Sequence, residues 1–195
     1  MAVTRERLAE GISFDQFTAQ MTKNKERFEE YYRNVPISAA ALDTFKRLPK
    51  PLDVLVIAED WCGDVINNMP TLGKIAKESG KLNLHVFLRD QNLDLMNQYL
   101  NQGKFMSIPV FVFFDDEMRE LGRFTERPAA VTELNNATRQ QILDAHPEFN
   151  KPADQLSDDQ KARFQQILGE ARTKTYPRAQ EIVVNELVDA VKGAL

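Results

Sequence analysis

The sequence predicts an α/β protein: a mixed sheet flanked by helices, with further helices added at the N- and C-termini. Three observations carry this. Residues 52–60, LDVLVIAED, open with a continuous apolar run rich in β-branched residues, as in a strand covered on both faces. From there to about residue 145, strand and helix signals alternate, the pattern of a sheet with a helical crossover. Outside that region, apolar residues recur only at helical spacing. With 195 residues, 43% of them hydrophobic, the chain is long enough for one core plus an extension.

Ser13 is followed three residues later by Gln16, a capping-box pattern, and Phe14, Phe17, Met21, Phe28, Tyr31 and Tyr32 keep helical spacing as far as Pro36. This predicts a helix over 13–36. A short helix over 38–48 follows and is stopped by Pro49 and Pro51. After the strand at 52–60, residues 62–79 read as a helix with Ile66, Met69, Leu72, Ile75 and Ala76 on one side, closed by Gly80. Residues 82–90, LNLHVFLRD, are a second strand, and 92–103 a helix ending at Gly103.

Two runs, 110–114 and 120–125, flank the polar turn Asp115-Asp116-Glu117 and predict an antiparallel hairpin, followed by a helix from about 129 to 145. The first two strands, joined by a helical crossover, are expected to be parallel. Further on, Ser157 and Gln160 repeat the capping-box pattern, and Phe164, Ile167, Leu168 and Ala171 form a helical stripe. Pro177 is expected to start a last helix with the stripe Ala179, Ile182, Val183, Leu187, Val188 and Val191. The chain thus divides into N-terminal helices packed on the core (1–50), the core itself (51–146) and a C-terminal helical extension (147–195).

A net charge of −4 leaves no excess positive charge to hold nucleic acid or an anionic membrane surface. The opening MAVTRERLAEGI lacks the apolar stretch of a signal peptide, and apolar runs such as 54–58 are far too short to cross a bilayer, so a cytoplasmic location is expected. The single cysteine, Cys62, permits no intramolecular disulfide. His85, within a strand, and His146, before Pro147, have no neighbours at metal-ligand spacing, and no metal is expected. No cofactor is expected either: the chain has no glycine-rich phosphate loop, Gly-x-Ser-x-Gly elbow or His-Glu-x-x-His helix.

Three features occur in order: Trp61-Cys62-Gly63 between a buried strand and a helix, Ile108-Pro109 before the hairpin, and the succession of strands between them. Together they resemble the thioredoxin superfamily. Trp-Cys-Gly-Asp (61–64), LRD (88–90), SIPVFVF (107–113) and GRFTERP (122–128) resemble in particular a group of bacterial thioredoxin-like proteins, over roughly residues 35–145. The resemblance implies a thioredoxin-like fold with Cys62 as the reacting thiol and a peptide groove formed by Trp61, Gly63, Asp64, Ile108 and Pro109. It also implies a cis Ile108–Pro109 bond that presents backbone groups to an extended substrate chain. Three positions depart from the family: Val65 stands where a dithiol thioredoxin has its second cysteine, Asp64 where proline is common, and Val56 where a buried acid is often found.

Thiol–disulfide exchange has two steps: a thiolate attacks a disulfide to give a mixed disulfide, and a second thiol resolves it. With one thiol, only the first step is internal. The expected partners are therefore protein or peptide thiols and disulfides, with a low-molecular-weight thiol or a partner cysteine releasing the product. The alternative is a non-catalytic thioredoxin-fold module that binds a peptide or protein. The residues do not specify an oligomeric state. At a helix start the dipole favours a thiolate by roughly 0.3–1 kcal/mol. A carboxylate at Asp64, about 6 Å from the sulfur, opposes it by roughly 0.7–2.8 kcal/mol depending on the dielectric. A thiol less acidic than in a dithiol thioredoxin is expected. Arg123 and Arg127 read as solvated surface arginines rather than as an anion site by the groove.

Overall fold

In the computed structural model, which describes residues 3–195, four strands form one mixed sheet. They are β1 (Leu52–Ala58), β2 (Leu82–Leu88), β3 (Val110–Phe114) and β4 (Glu120–Thr125), in the order β2-β1-β3-β4. β1 and β2 are parallel, in register from Leu52↔Leu82 to Ala58↔Leu88, and β3 runs antiparallel to both β1 and β4. All of β3, and all of β1 except Asp53, is buried, which is why β3 and residues 54–58 of β1 are continuously apolar. The free edge of β2 is closed by Ile12, whose N–H and C=O both bond to Val86.

The helices are α1 (Arg5–Ala9), α2 (Phe14–Gln20), α3 (Lys25–Asn34), α4 (Ala39–Lys46), α5 (Gly63–Ser79), α6 (Leu93–Met96), α7 (Ala129–Ala145) and α8 (Asp158–Val191). α5 packs on β2 and is covered by α3 and α4, while α8 lies on β4 and reaches α4, α5 and α7. Phe17, Phe28 and Phe45 from the N-terminal helices share one buried cluster with β1, β3 and the Ile66, Met69, Leu72, Ile75 face of α5. Val183, Leu187 and Val191 of α8 join that same cluster. Among the described residues, Ile142, Phe149, Phe164 and Leu168 form a second, smaller one. At Gly122 the sheet and α8 touch backbone to backbone: a Cβ there would lie 2.9 Å from Ala190 Cα and closer still to its carbonyl oxygen.

The structure departs from the periodicity in three places, each for an identifiable reason. The helix expected over 13–36 is two helices, because the Asp60 carboxylate accepts the N–H groups of Thr22 and Lys23 (2.7 and 2.9 Å) and interrupts the helical ladder. Asn24 then adopts a left-handed φ of 56° and donates its side-chain amide to the Asp60 carbonyl. The helix expected over 92–103 is only the four residues of α6. Asn101 instead pairs through its N–H and C=O with Phe105, and its side chain bonds Ser107 and Glu126.

Pro177 does not begin a helix: α8 runs straight through it for 34 residues. A proline inside a helix costs about 3 kcal/mol. Burial on both sides of the proline, at Phe164 and Leu168 and at Val183, Leu187 and Val191, outweighs that loss. Gln180, fully buried, also ties the helix to α5 through Thr71 and the Asn67 carbonyl. The ends of the chain add α1, which is too short to show a period; Thr4 caps it and Leu8 is its buried residue.

Candidate functional site

The pairing of Ile57 with Val110 places the end of β1 beside the start of β3. Residues 59–62 turn out of β1 into α5, and Cys62 is the N-cap of that helix. It is half-buried, and its Sγ lies 3.5 Å from the Ile108 carbonyl oxygen. The Ile108–Pro109 peptide bond is cis, and both residues are buried. The Pro109 carbonyl is already taken by the Glu126 N–H at 2.7 Å, so the Ile108 carbonyl is the backbone acceptor that faces the thiol.

Burial pushes the Cys62 thiol above its ordinary value; the N–H groups of Val65 and Asp64 at the helix start pull it back, the Asp64 carboxylate pushes up again, and Arg89 pulls down. Removal from solvent is thus the largest effect, ahead of the contest between helix dipole and carboxylate that the sequence suggests. The Asp64 carboxylate comes after burial and the two N–H groups in its effect on the sulfur, and it pairs with Arg127 Nη2 at 3.1 Å. Arg127 pairs with Glu126 as well, and its Nε is buried. It is not a solvated surface arginine. Arg123, by contrast, is half-exposed, paired with Glu120 and laid over the Tyr99 ring.

Burial also raises the Asp64 carboxyl to about 6, against the attraction of Arg127, with Glu126 raising it further and Arg172 lowering it. The folded state therefore holds this proton more tightly than the unfolded chain, whose value is near 3.8, so stability falls as pH rises from about 4 to 6. Asp64→Asn is expected to raise stability at pH 7.5 by about 1–2 kcal/mol and to flatten the pH dependence in that window. Urea unfolding of both proteins at pH 4.5 and 7.5 measures this; a less stable variant would mean that the Arg127 pair outweighs the burial.

Trp61 is 41% exposed, and the Arg89 guanidinium lies over its ring at 4.7 Å. Arg89 also bonds Asp90 and the carbonyl of Met106, which is itself 41% exposed. Trp61, Arg89 and Met106 thus make an apolar and cationic rim beside the thiol. Gly63 opens α5 with nothing within 4 Å of where a Cβ would stand, so no close contact requires a glycine there. Val65 is completely buried.

Arg89 and Asp60 are site residues that spacing alone does not reveal, although Arg89 lies within LRD (88–90) and Asp60 directly precedes Trp61. Asp60 lies below the ordinary carboxylate range: burial pushes it up, but the hydrogen bonds from Thr22 and Lys23 outweigh that and fasten the α2–α3 turn to the motif. Among the described residues, no group of three or more His, Cys, Asp or Glu side chains is placed to hold a metal ion. Among them, too, no helix is long and apolar enough to cross a membrane.

Two solved structures are similar over nearly the whole chain. One is a protein of unknown function from Pseudomonas aeruginosa, 19% identical, with a TM-score of 0.67 and 99% of each chain covered. The other is an HIV epitope scaffold, 18% identical, with a TM-score of 0.65, covering 99% of this chain and all of its own. At such identities the likeness is one of fold. No curated protein matches the chain. The family model described as thioredoxin matches residues 11–141, which takes in the sheet, the Cys62 motif and Ile108-Pro109. On that match, over more than half of its length, the chain belongs to the thioredoxin family.

Proposed function

We propose that this protein handles thiols or disulfides in the cytosol through Cys62 alone, with an external thiol releasing the product. The observation that carries this reading is the placement of Cys62. It is half-buried at the N-cap of α5, within 3.5 Å of the Ile108 carbonyl, below a rim that includes the exposed Trp61 and Met106. An extended partner chain lies along that rim and meets the thiol at its floor. The Cys62 thiolate attacks one sulfur of the partner's disulfide, a new S–S bond forms, and the other sulfur leaves as a thiolate. A low-molecular-weight thiolate then attacks the partner's sulfur in the mixed disulfide, and Cys62 leaves as the thiolate it began as. The second step needs an outside sulfur because position 65 is a core valine.

One observation favours a second reading, a non-catalytic module that binds peptides or proteins in the same groove: burial holds the thiol above its ordinary value, so little thiolate is present at neutral pH. Turnover of a glutathione mixed disulfide in the presence of glutathione separates the two. The native chain is expected to exceed background, with a rate that climbs as pH rises toward the raised thiol value, and Cys62→Ser is expected to fall to background. Equal rates for the two proteins would leave the binding module as the function.

A further inference from the structure

Two buried side-chain polar atoms lack a hydrogen-bond partner among the described residues, Arg127 Nε and Tyr176 Oη. Buried polar groups are nearly always satisfied, so each such group calls for an explanation. Both residues line the same cavity, of about 180 Å³, between α3, α5, α7 and α8. The guanidinium Nε–H can only donate and the phenol can donate, so the group that would satisfy both is an acceptor. Tyr176 is held in place by stacking on Tyr31, with the ring centres 4.2 Å apart.

The charges around the cavity specify that acceptor further. Arg27 and Arg172 also line it. Arg127 is engaged by Asp64 and Glu126, whereas Arg27 is held by the Tyr31 hydroxyl, and neither Arg27 nor Arg172 has a carboxylate partner among the described residues. Three guanidiniums thus face one lining carboxylate, Asp64, and the first turn of α5 adds its positive end at Gly63 and Asp64. A single carboxylate suits this balance, because guanidinium forks bind it in two-point contacts. A phosphate would bring a second negative charge against Asp64. The volume is below the roughly 300–1,000 Å³ of sites for drug-sized ligands, which limits the occupant to a small molecule.

We propose that this cavity binds a small organic acid, its carboxylate held by Arg27, Arg127, Arg172 and the Tyr176 hydroxyl. The cavity is lined by Gly63 and Asp64, next to the thiol, but not by Cys62 itself, and Cys62→Ser is expected to bind as well as the native chain. Calorimetric titration with propionate, a monocarboxylate, at pH 7.5 tests it, using the native protein, Arg172→Gln, Tyr176→Phe and Arg178→Gln. Arg172 and Arg178 are both exposed on α8, and Arg178, paired with Glu181, lies outside the cavity lining. The expected result is saturable binding with a Kd below about 1 mM. Arg172→Gln is expected to weaken it about tenfold, Tyr176→Phe to weaken it measurably, and Arg178→Gln to leave it unchanged. Absence of saturable binding would overturn the proposal, as would equal affinities in Arg172→Gln and Arg178→Gln. Inorganic phosphate binding as tightly as propionate would overturn the carboxylate assignment.

Discussion

Insulin reduction by the native chain is expected to stay at background, and Val65→Cys is expected to raise it at least about tenfold. The gain comes from geometry already present. Residue 65 lies in the first turn of α5, three positions after the N-cap Cys62, and its N–H is one of the groups that favour the thiolate. A thiol there attacks the mixed disulfide within the same molecule, at an effective concentration in the millimolar range or above, which a dissolved thiol at micromolar levels does not match. The substitution removes little volume from a fully buried position and is expected to lower stability by only about 1 kcal/mol. If both thiols titrate in the variant and insulin is still not reduced, the limiting factor is the burial that raises the Cys62 thiol rather than the missing partner. Robust reduction by the native chain would contradict the single-thiol mechanism outright.

Gly122→Val is expected to destabilise the protein by about 3 kcal/mol or more, the upper end for overpacking, because its neighbour is backbone. The added Cβ would meet the Cα, carbonyl carbon and carbonyl oxygen of Ala190, atoms that have no rotamer to escape into. Either β4 or the end of α8 has to move, and Val183, Leu187 and Val191 lose their fit in the core with it. Gly169→Ala is the control: nothing lies within 4 Å of its Cβ position, and removing a helical glycine is expected to add about 0.5–1 kcal/mol. Thermal unfolding of the two variants beside the native chain measures both. A Gly122→Val protein as stable as the native one would show that α8 is not seated on β4 as described.

The sheet was legible because its evidence is local. β3 and residues 54–58 of β1 are buried on both faces and so read as unbroken apolar runs, and the polar Asp115-Asp116-Glu117 turn marks the hairpin. The approach of Cys62 to Ile108 was legible only through the family resemblance, since nothing in the spacing of residues 62 and 108 says that they meet. What the periodicity missed are polar contacts between distant positions. Asp60 breaks the helix at Thr22 and Lys23, Arg127 pairs with Asp64, and Gln180 anchors the helix that passes through Pro177. Periodicity records which residues face a core, and α2 and α3 face the same one, so the break between them leaves the spacing intact. The direction expected for the thiol agrees with the structure, but its largest cause is burial, a property of the assembled fold that spacing does not record.

The length of α8 has a consequence for how the molecule opens. At 1.5 Å per residue its 34 residues make a rod of about 51 Å that belongs to two clusters of unequal depth. The half after Pro177 is sealed into the main core, so its amides open to solvent only when most of the protein unfolds. The half before it is held by a four-residue cluster shared with the end of α7, where each large apolar side chain contributes roughly 1.5–3 kcal/mol. That half therefore exchanges its amide hydrogens through smaller, more frequent openings, and the C-terminal turns of α7 exchange with it. Pro177, which has no N–H and so leaves the Thr173 carbonyl without its helical donor, is the seam at which one continuous helix becomes two units of exchange.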